Sequence, residues 1–252
     1  MDDDAVKSLK YAAEIVPDNL DLFDLGSALH ESGQLLEAAE CFEDVIRLDP
    51  KKHEAHHNKG VSLIDVGECE RAVECLDRLI QLDPQLLPAY GNKIVALLEM
   101  SELERAVQCC EQLVAEVPDD PYSHAMKGVV LKRVHMYTSA LECFEKALIL
   151  DPKYPDVYIP KANILNEMNE YKLALKCCDS AQDAGNRDAR VDTARIVTLL
   201  HLNKYEQMVA YCDKGKLLDV MGMRNWARIF ARYAESLDHD GALVQFADSL
   251  LP

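Results

Sequence analysis

Basic charge, long apolar runs and conformationally extreme residues are all scarce in this chain. Its 252 residues carry 27 Lys and Arg against 44 Asp and Glu, a net charge of −17. That balance argues against binding nucleic-acid phosphates or anionic lipid. No apolar stretch approaches the roughly 18 residues that a membrane helix needs, so no membrane insertion is expected. Only 10 Gly and 10 Pro are present, which excludes collagen-like and linker-like readings. Aromatic residues make up 6%, with a single Trp. The start, Met1-Asp2-Asp3-Asp4, is acidic where a secretory leader would be basic and then apolar. Nine Cys are present without one C-x-x-C pair, so zinc-ribbon and thioredoxin-like readings fail on spacing. Free thiols in a reducing, cytoplasmic setting are the expectation.

What the chain does have is self-similarity. Pro50, Pro84, Pro118 and Pro152 recur at a step of 34, and three of them close a Leu-Asp-Pro triplet. Ala38, Ala72, Ala106, Ala140 and Ala174 keep the same step. So do Leu29, Leu63, Leu97, Leu131, Leu165 and Leu199. Gly26, Gly60 and Gly128 share a column with Ile94, Ala162 and Ile196. Each unit reads as two amphipathic helices, such as Tyr122 to Val134 and Tyr137 to Leu150, with apolar residues at i, i+3, i+4 and i+7. The Pro ends the second helix and starts the next unit. The small columns predict close helix approach, with Gly or Ala facing Ala across each hairpin.

This pattern resembles the tetratricopeptide repeat family, whose Trp, Leu, Gly, Tyr, Ala, Phe, Ala, Pro signature corresponds to Leu22, Leu25, Gly26, Leu29, Ala38, Phe42, Val45 and Pro50. The resemblance implies an all-α, right-handed superhelical solenoid of antiparallel helix pairs. Seven units are expected, at 19–52, 53–86, 87–120, 121–154, 155–188, 189–222 and 223–252, behind a capping helix at 1–18. The last two units depart from the pattern, with Met208 in the Ala column and Gly222 where Pro is expected.

The same resemblance implies a non-catalytic scaffold that binds a peptide or helix of a partner protein in its concave groove. In this family the first helix of each unit lines that groove. The expected lining is Asn58, Val61, Asn92, Val95, Tyr122, Met126, Val129, Asn163, Arg190, Val197, Arg224 and Arg228. The Asn side chains offer both donor and acceptor to a peptide backbone. The segment from Arg187 to Arg232 carries +4 against −21 elsewhere, so its Arg residues are expected to receive the acidic end of a partner. Two alternatives stand beside this reading. One is self-assembly into a homo-oligomer through the terminal repeats. The other is a co-chaperone-like adaptor with an incomplete carboxylate clamp. Asn163, Arg224 and Arg228 match three clamp places, but Ile159 and Ala194 occupy the other two.

No catalytic, cofactor or metal site is expected. Cys41, Cys75, Cys109, Cys143 and Cys177 repeat at 34 and read as small packing residues rather than a metal ladder. His53 and His57 have an i, i+4 spacing that can hold zinc when a third ligand converges, but Glu54-Ala55-His56-His57 is not H-E-x-x-H, and a solvent-facing helix start is the expectation. Lys59, Lys93, Lys127, Lys161 and Arg195 form a basic column, read as aliphatic stems covering a seam with their charges in water. No Ser, His and Asp arrangement is suggested.

Overall fold

A computed structural model describes residues 19–202 except Arg187, together with Lys204, Gln207 and Tyr211. Every regular element among the described residues is helical, as the periodicity requires. The helices are α1 (Asn19–Glu31), α2 (Leu35–Leu48), α3 (His53–Asp65), α4 (Cys69–Leu82), α5 (Leu87–Glu99), α6 (Leu103–Glu116), α7 (Pro121–Arg133), α8 (Tyr137–Leu150), α9 (Tyr158–Glu167), α10 (Tyr171–Asp183) and α11 (Ala189–His201). A 3₁₀ turn at Pro155–Val157 precedes α9. The chain divides into two compact units at Ile164 and Leu165. The expected capping helix at 1–18 and the seventh repeat lie outside the described residues.

In the first unit, α1 to α8 form an all-α solenoid. Each helix packs on the next, and the odd-numbered first helices also touch one another in series. The Ala column does what its spacing predicts: Ala38, Ala72, Ala106 and Ala140 are fully buried. Around them lie fully buried residues such as Leu63, Leu76, Leu79, Leu97 and Leu113. Each such side chain contributes about 1.5–3 kcal/mol.

The glycine column differs from expectation. A Cβ on Gly26 would sit 2.8 Å from the Phe42 ring, on Gly60 2.9 Å from Leu76, and on Gly128 2.5 Å from Phe144. The glycines therefore face the large residues of the second helix, not its alanines. Where the first helix carries Ile94 in this column, the second carries Cys110 in the Phe column, and both are fully buried. Volume is conserved pairwise across the hairpin, as a close-packed interior demands.

Two turns recur. Between the helices of a unit the chain enters the left-handed region at Gly33, Gly67, Ser101, His135 and Asn169. Gly33 N donates to His30 O at 3.0 Å, and Gln34 N to Leu29 O at 2.9 Å, which satisfies the last carbonyls of α1. Between units, the Asp of Leu-Asp-Pro accepts a backbone N–H two residues ahead, from Lys51 to Asp49, Gln85 to Asp83 and Lys153 to Asp151. Pro itself has no N–H to offer there. The first helix then reaches back to the Pro carbonyl. His56 Nε2 donates to Pro50 O at 3.0 Å, His124 Nε2 to Pro118 O at 2.8 Å, and Tyr158 Oη to Pro152 O at 2.6 Å. His56 thus replaces the family Trp as a buried, bonded residue.

In the second unit α10 packs on α11. Asp188 caps α11, accepting from Arg190 N at 2.8 Å. No helix among the described residues is long and apolar enough to cross a membrane.

Candidate functional site

At about 100° per residue, positions i, i+4, i+7 and i+11 share a ~60° arc of a helix. On α3 these are Glu54, Asn58, Val61 and Asp65. On α5 they are Pro88, Asn92, Val95 and Glu99, and on α7 Tyr122, Met126, Val129 and Arg133. None of the twelve is buried, while the opposite faces of these helices hold buried residues such as Ala55, Leu63, Ala89, Ile94 and Leu131. Successive first helices touch, so their open faces form a continuous surface in the first unit. The sequence-expected groove residues Asn58, Val61, Asn92, Val95, Tyr122, Met126 and Val129 all lie on it.

They are not equally open. Val95 is 42% exposed, whereas Tyr122 and Met126 are partly buried against the core of the neighbouring repeats. Tyr122 sends its hydroxyl over Gly91 on α5, where a Cβ would displace it. Burial first, then the neighbouring Cys110 and Cys109, push the Tyr122 phenol above its ordinary value. Asp120 accepts from Tyr122 N at 2.8 Å, capping α7 and fixing where the ring leaves the helix. Asn163 is partly buried near the end of the first unit. Val197 and Arg190 lie in the second unit, and Arg224 and Arg228 lie outside the described residues. Arg190 forms an ion pair with Asp188, Nη2–Oδ2 2.6 Å, Nε–Oδ2 2.9 Å and Nε–Oδ1 3.1 Å. Those hydrogen bonds hold the Asp188 carboxyl below its ordinary range.

The basic column is a ladder of ion pairs. Lys59 bonds Glu43, Lys93 meets Asp77 at 2.5 Å, Lys127 meets Glu111 at 3.7 Å, Lys161 bonds Glu145, and Arg195 meets Asp179 at 2.6 Å. Each acid precedes its cation by 16 residues. The charges therefore tie a second helix to the following first helix instead of ending in water. Burial raises the Glu43 carboxyl, but the Lys59 hydrogen bond and charge bring it net below its ordinary value.

One constellation was not expected. His30 Nδ1 lies 3.0 Å from Ser62 Oγ, and His30 Nε2 lies 3.6 Å from Asp65 Oδ2. The Ser62 hydroxyl also donates to Asn58 O within α3, at 2.9 Å. Ser62 is also fully buried. The trio links α1 to α3. Thr198 and Asn166 make the same link, 2.9 Å long, in the second unit. No sequence signal for this pairing exists beyond its 32-residue separation.

The repeating cysteines are packing residues. Cys75, Cys109 and Cys177 are buried and Cys41 and Cys143 partly so, all as free thiols. Burial pushes the Cys75 and Cys109 thiols to about 11. Among the described residues, no three His, Cys, Asp or Glu side chains converge to hold a metal ion.

The geometry defines a class: an all-α repeat solenoid, with a continuous open face in its first unit. Two sequence models of the tetratricopeptide repeat family match, over residues 23–86 and 63–129. The chain is a tetratricopeptide repeat protein. No curated protein matches it. Among solved structures, a tetratricopeptide repeat protein from Parabacteroides merdae is 16% identical with a TM-score of 0.62, covering 92% of this chain and 98% of its own. A thermophilic TPR protein from Thermus thermophilus is 20% identical with a TM-score of 0.56, covering 73% and 100%. YrrB, described as a TPR protein with an unusual peptide-binding site, is 16% identical with a TM-score of 0.52, covering 75% and 98%. These likenesses are of fold. The tetratricopeptide repeats matched by the family models are what place the chain among protein–protein interaction scaffolds.

Proposed function

We propose that the open face of the first helices is a docking groove for a peptide segment of a partner protein, and that the chain is a non-catalytic scaffold. The observation that carries this is the exposure of Val95, 42%, in a row with Val61 and Val129 and flanked by Asn58 and Asn92. A solvated apolar row beside side-chain amides suits an extended peptide: the row takes apolar side chains and the amides take backbone groups. YrrB shows that this fold is compatible with peptide binding. Asn163 is proposed to bind with Asn58 and Asn92, and Arg190, Val197, Arg224 and Arg228 are proposed as binding residues of the C-terminal repeats.

The test begins with peptides selected from a random display library on the purified protein. Their affinities are then measured against Asn58→Ala/Asn92→Ala and against Val95→Glu. A loss of about tenfold or more in each variant is expected, since several contacts of about 0.5–1.5 kcal/mol disappear together. Undiminished affinity in both, with the helical circular dichroism unchanged, would place the binding surface elsewhere.

A further inference from the structure

The groove reading leaves the chemistry of the occupant open, and the charge around the apolar row is one-sided. Across α1, α3 and α5 the exposed acids on the open face are Asp24, Glu31, Glu54, Asp65 and Glu99. The only Lys or Arg on these helices are Lys59 and Lys93, and both are held by Glu43 and Asp77 on the second helices. So neither Lys on these helices is available to neutralise the row; the imidazole of His30 approaches it at Asp65, and the exposed Arg133 holds the same register on α7, where the acidic row ends. Glu31, Asp65 and Glu99 occupy the same register, one per first helix, at a step of 34 residues. They run beside Val61 and Val95 along one edge of the surface.

We infer that the segment docking on α1, α3 and α5 is a basic peptide of a partner protein, with Lys or Arg at every third residue and apolar residues between them. This rests on the groove reading above. Packed helices lie about 8–10 Å apart. A polyproline II strand advances about 9.3 Å per turn of three residues, so residues i, i+3 and i+6 keep one face and match that step. One face of such a strand sets its cations on Glu31, Asp65 and Glu99. A second seats apolar side chains on Val61 and Val95. Its backbone groups, which have no internal partners, face Asn58 and Asn92. The repeat spacing of the receptor and the period of the ligand thus coincide without distortion of either.

The probe is a fluorescein-labelled peptide of three Lys-Leu-Ser repeats, read by anisotropy. Its partner probes are three Glu-Leu-Ser repeats and a peptide of the same composition with its lysines contiguous. Wild-type protein is expected to bind the first probe at least about fivefold more tightly than either of the others. Raising salt from about 50 to 300 mM should weaken that binding severalfold, because exposed charges are screened over roughly 8–10 Å. Glu31→Gln/Asp65→Asn/Glu99→Gln should weaken it by about tenfold or more. Glu74→Gln/Glu104→Gln/Glu142→Gln removes the same charge from exposed positions on the second helices and should leave it near wild type. Equal losses in the two triple variants would reduce the effect to net charge and overturn the proposal. So would equal binding of the Glu-containing probe. Self-association of the wild type that the first triple variant abolishes would assign the face to a second copy, which also overturns it. Library-selected peptides that depend on Asn58 and Asn92 but carry no basic residues would overturn this inference and leave the groove standing. Lys-probe binding indifferent to Asn58→Ala/Asn92→Ala and Val95→Glu would remove both.

Discussion

Adding one methyl group to Gly128, Gly26 or Gly60 measures how tightly each hairpin is closed. Gly→Ala inside a helix gains about 1 kcal/mol of intrinsic propensity. Against this stands the space available. At Gly128 the new Cβ would lie 2.5, 2.7 and 2.9 Å from three atoms of the Phe144 ring. Phe144 is fully buried among Ala125, Leu131, Ala140, Ala147, Val157 and Ile164, so the ring cannot swing aside without displacing a second layer. Overpacking of this kind costs about 1–3 kcal/mol beyond what relaxation recovers. At Gly26 the ring of Phe42 begins at 2.8 Å, and at Gly60 the flexible end of Leu76 begins at 2.9 Å. The expected order of stability change is therefore Gly128→Ala most damaging, Gly26→Ala intermediate, and Gly60→Ala near zero. Phe144→Leu leaves a cavity and costs about 1 kcal/mol or more by itself. In its background Gly128→Ala should become neutral or stabilising, a coupling of about 1–3 kcal/mol. Urea midpoints at constant m report the differences. Because repeat arrays can open in pieces, amide exchange in α7 and α8 supplies the local reading. Equal effects at Gly128 and Gly60, or strict additivity of the Gly128→Ala/Phe144→Leu pair, would refute the pairwise-volume argument.

Other outcomes follow from the turns. Ser101 is an exposed residue in the left-handed region at φ 60°, where Gly33 and Gly67 stand in earlier units. Ser101→Gly should stabilise by about 0.5–1 kcal/mol, the left-handed penalty less the extra entropy of the unfolded chain; a lower melting temperature would contradict it. His56 has its imidazole pushed below the ordinary 6.5, by burial above all, partly offset by the bond to Pro50 O. A group whose folded value is depressed contributes stability that is full above 6.5 and is lost as pH falls through the folded value. His56→Tyr, with the hydroxyl donating as Tyr158 does, should therefore shrink the loss of melting temperature between about pH 7.5 and 5.5. His57 and His201, also depressed by burial, keep a residual slope. An unchanged slope in His56→Tyr would show that His56 does not titrate with folding.

Much of this molecule was legible along the chain, because a helix converts spacing into a face without reference to anything outside it. The 34-residue step, the Ala column, the Pro-terminated turns and the buried cysteines all depend on one helix at a time. So does the open stripe of Asn58, Val61, Asn92 and Val95. What a side chain meets on another helix depends on how the two are rotated and displaced, and that is set by packing. Gly128 was expected to face Ala and meets Phe144 instead, because the ring, not the methyl, reaches across the hairpin. Lys59 was expected to end in water. It bonds Glu43, whose position beside it arises only when α2 lies against α3. Ser62, His30 and Asp65 give no signal in sequence and meet because α1 touches α3. The sequence determined which face each helix presents. Tertiary packing alone decided which residues stand opposite, since contact across helices is a property of the assembled pair and not of either helix by itself.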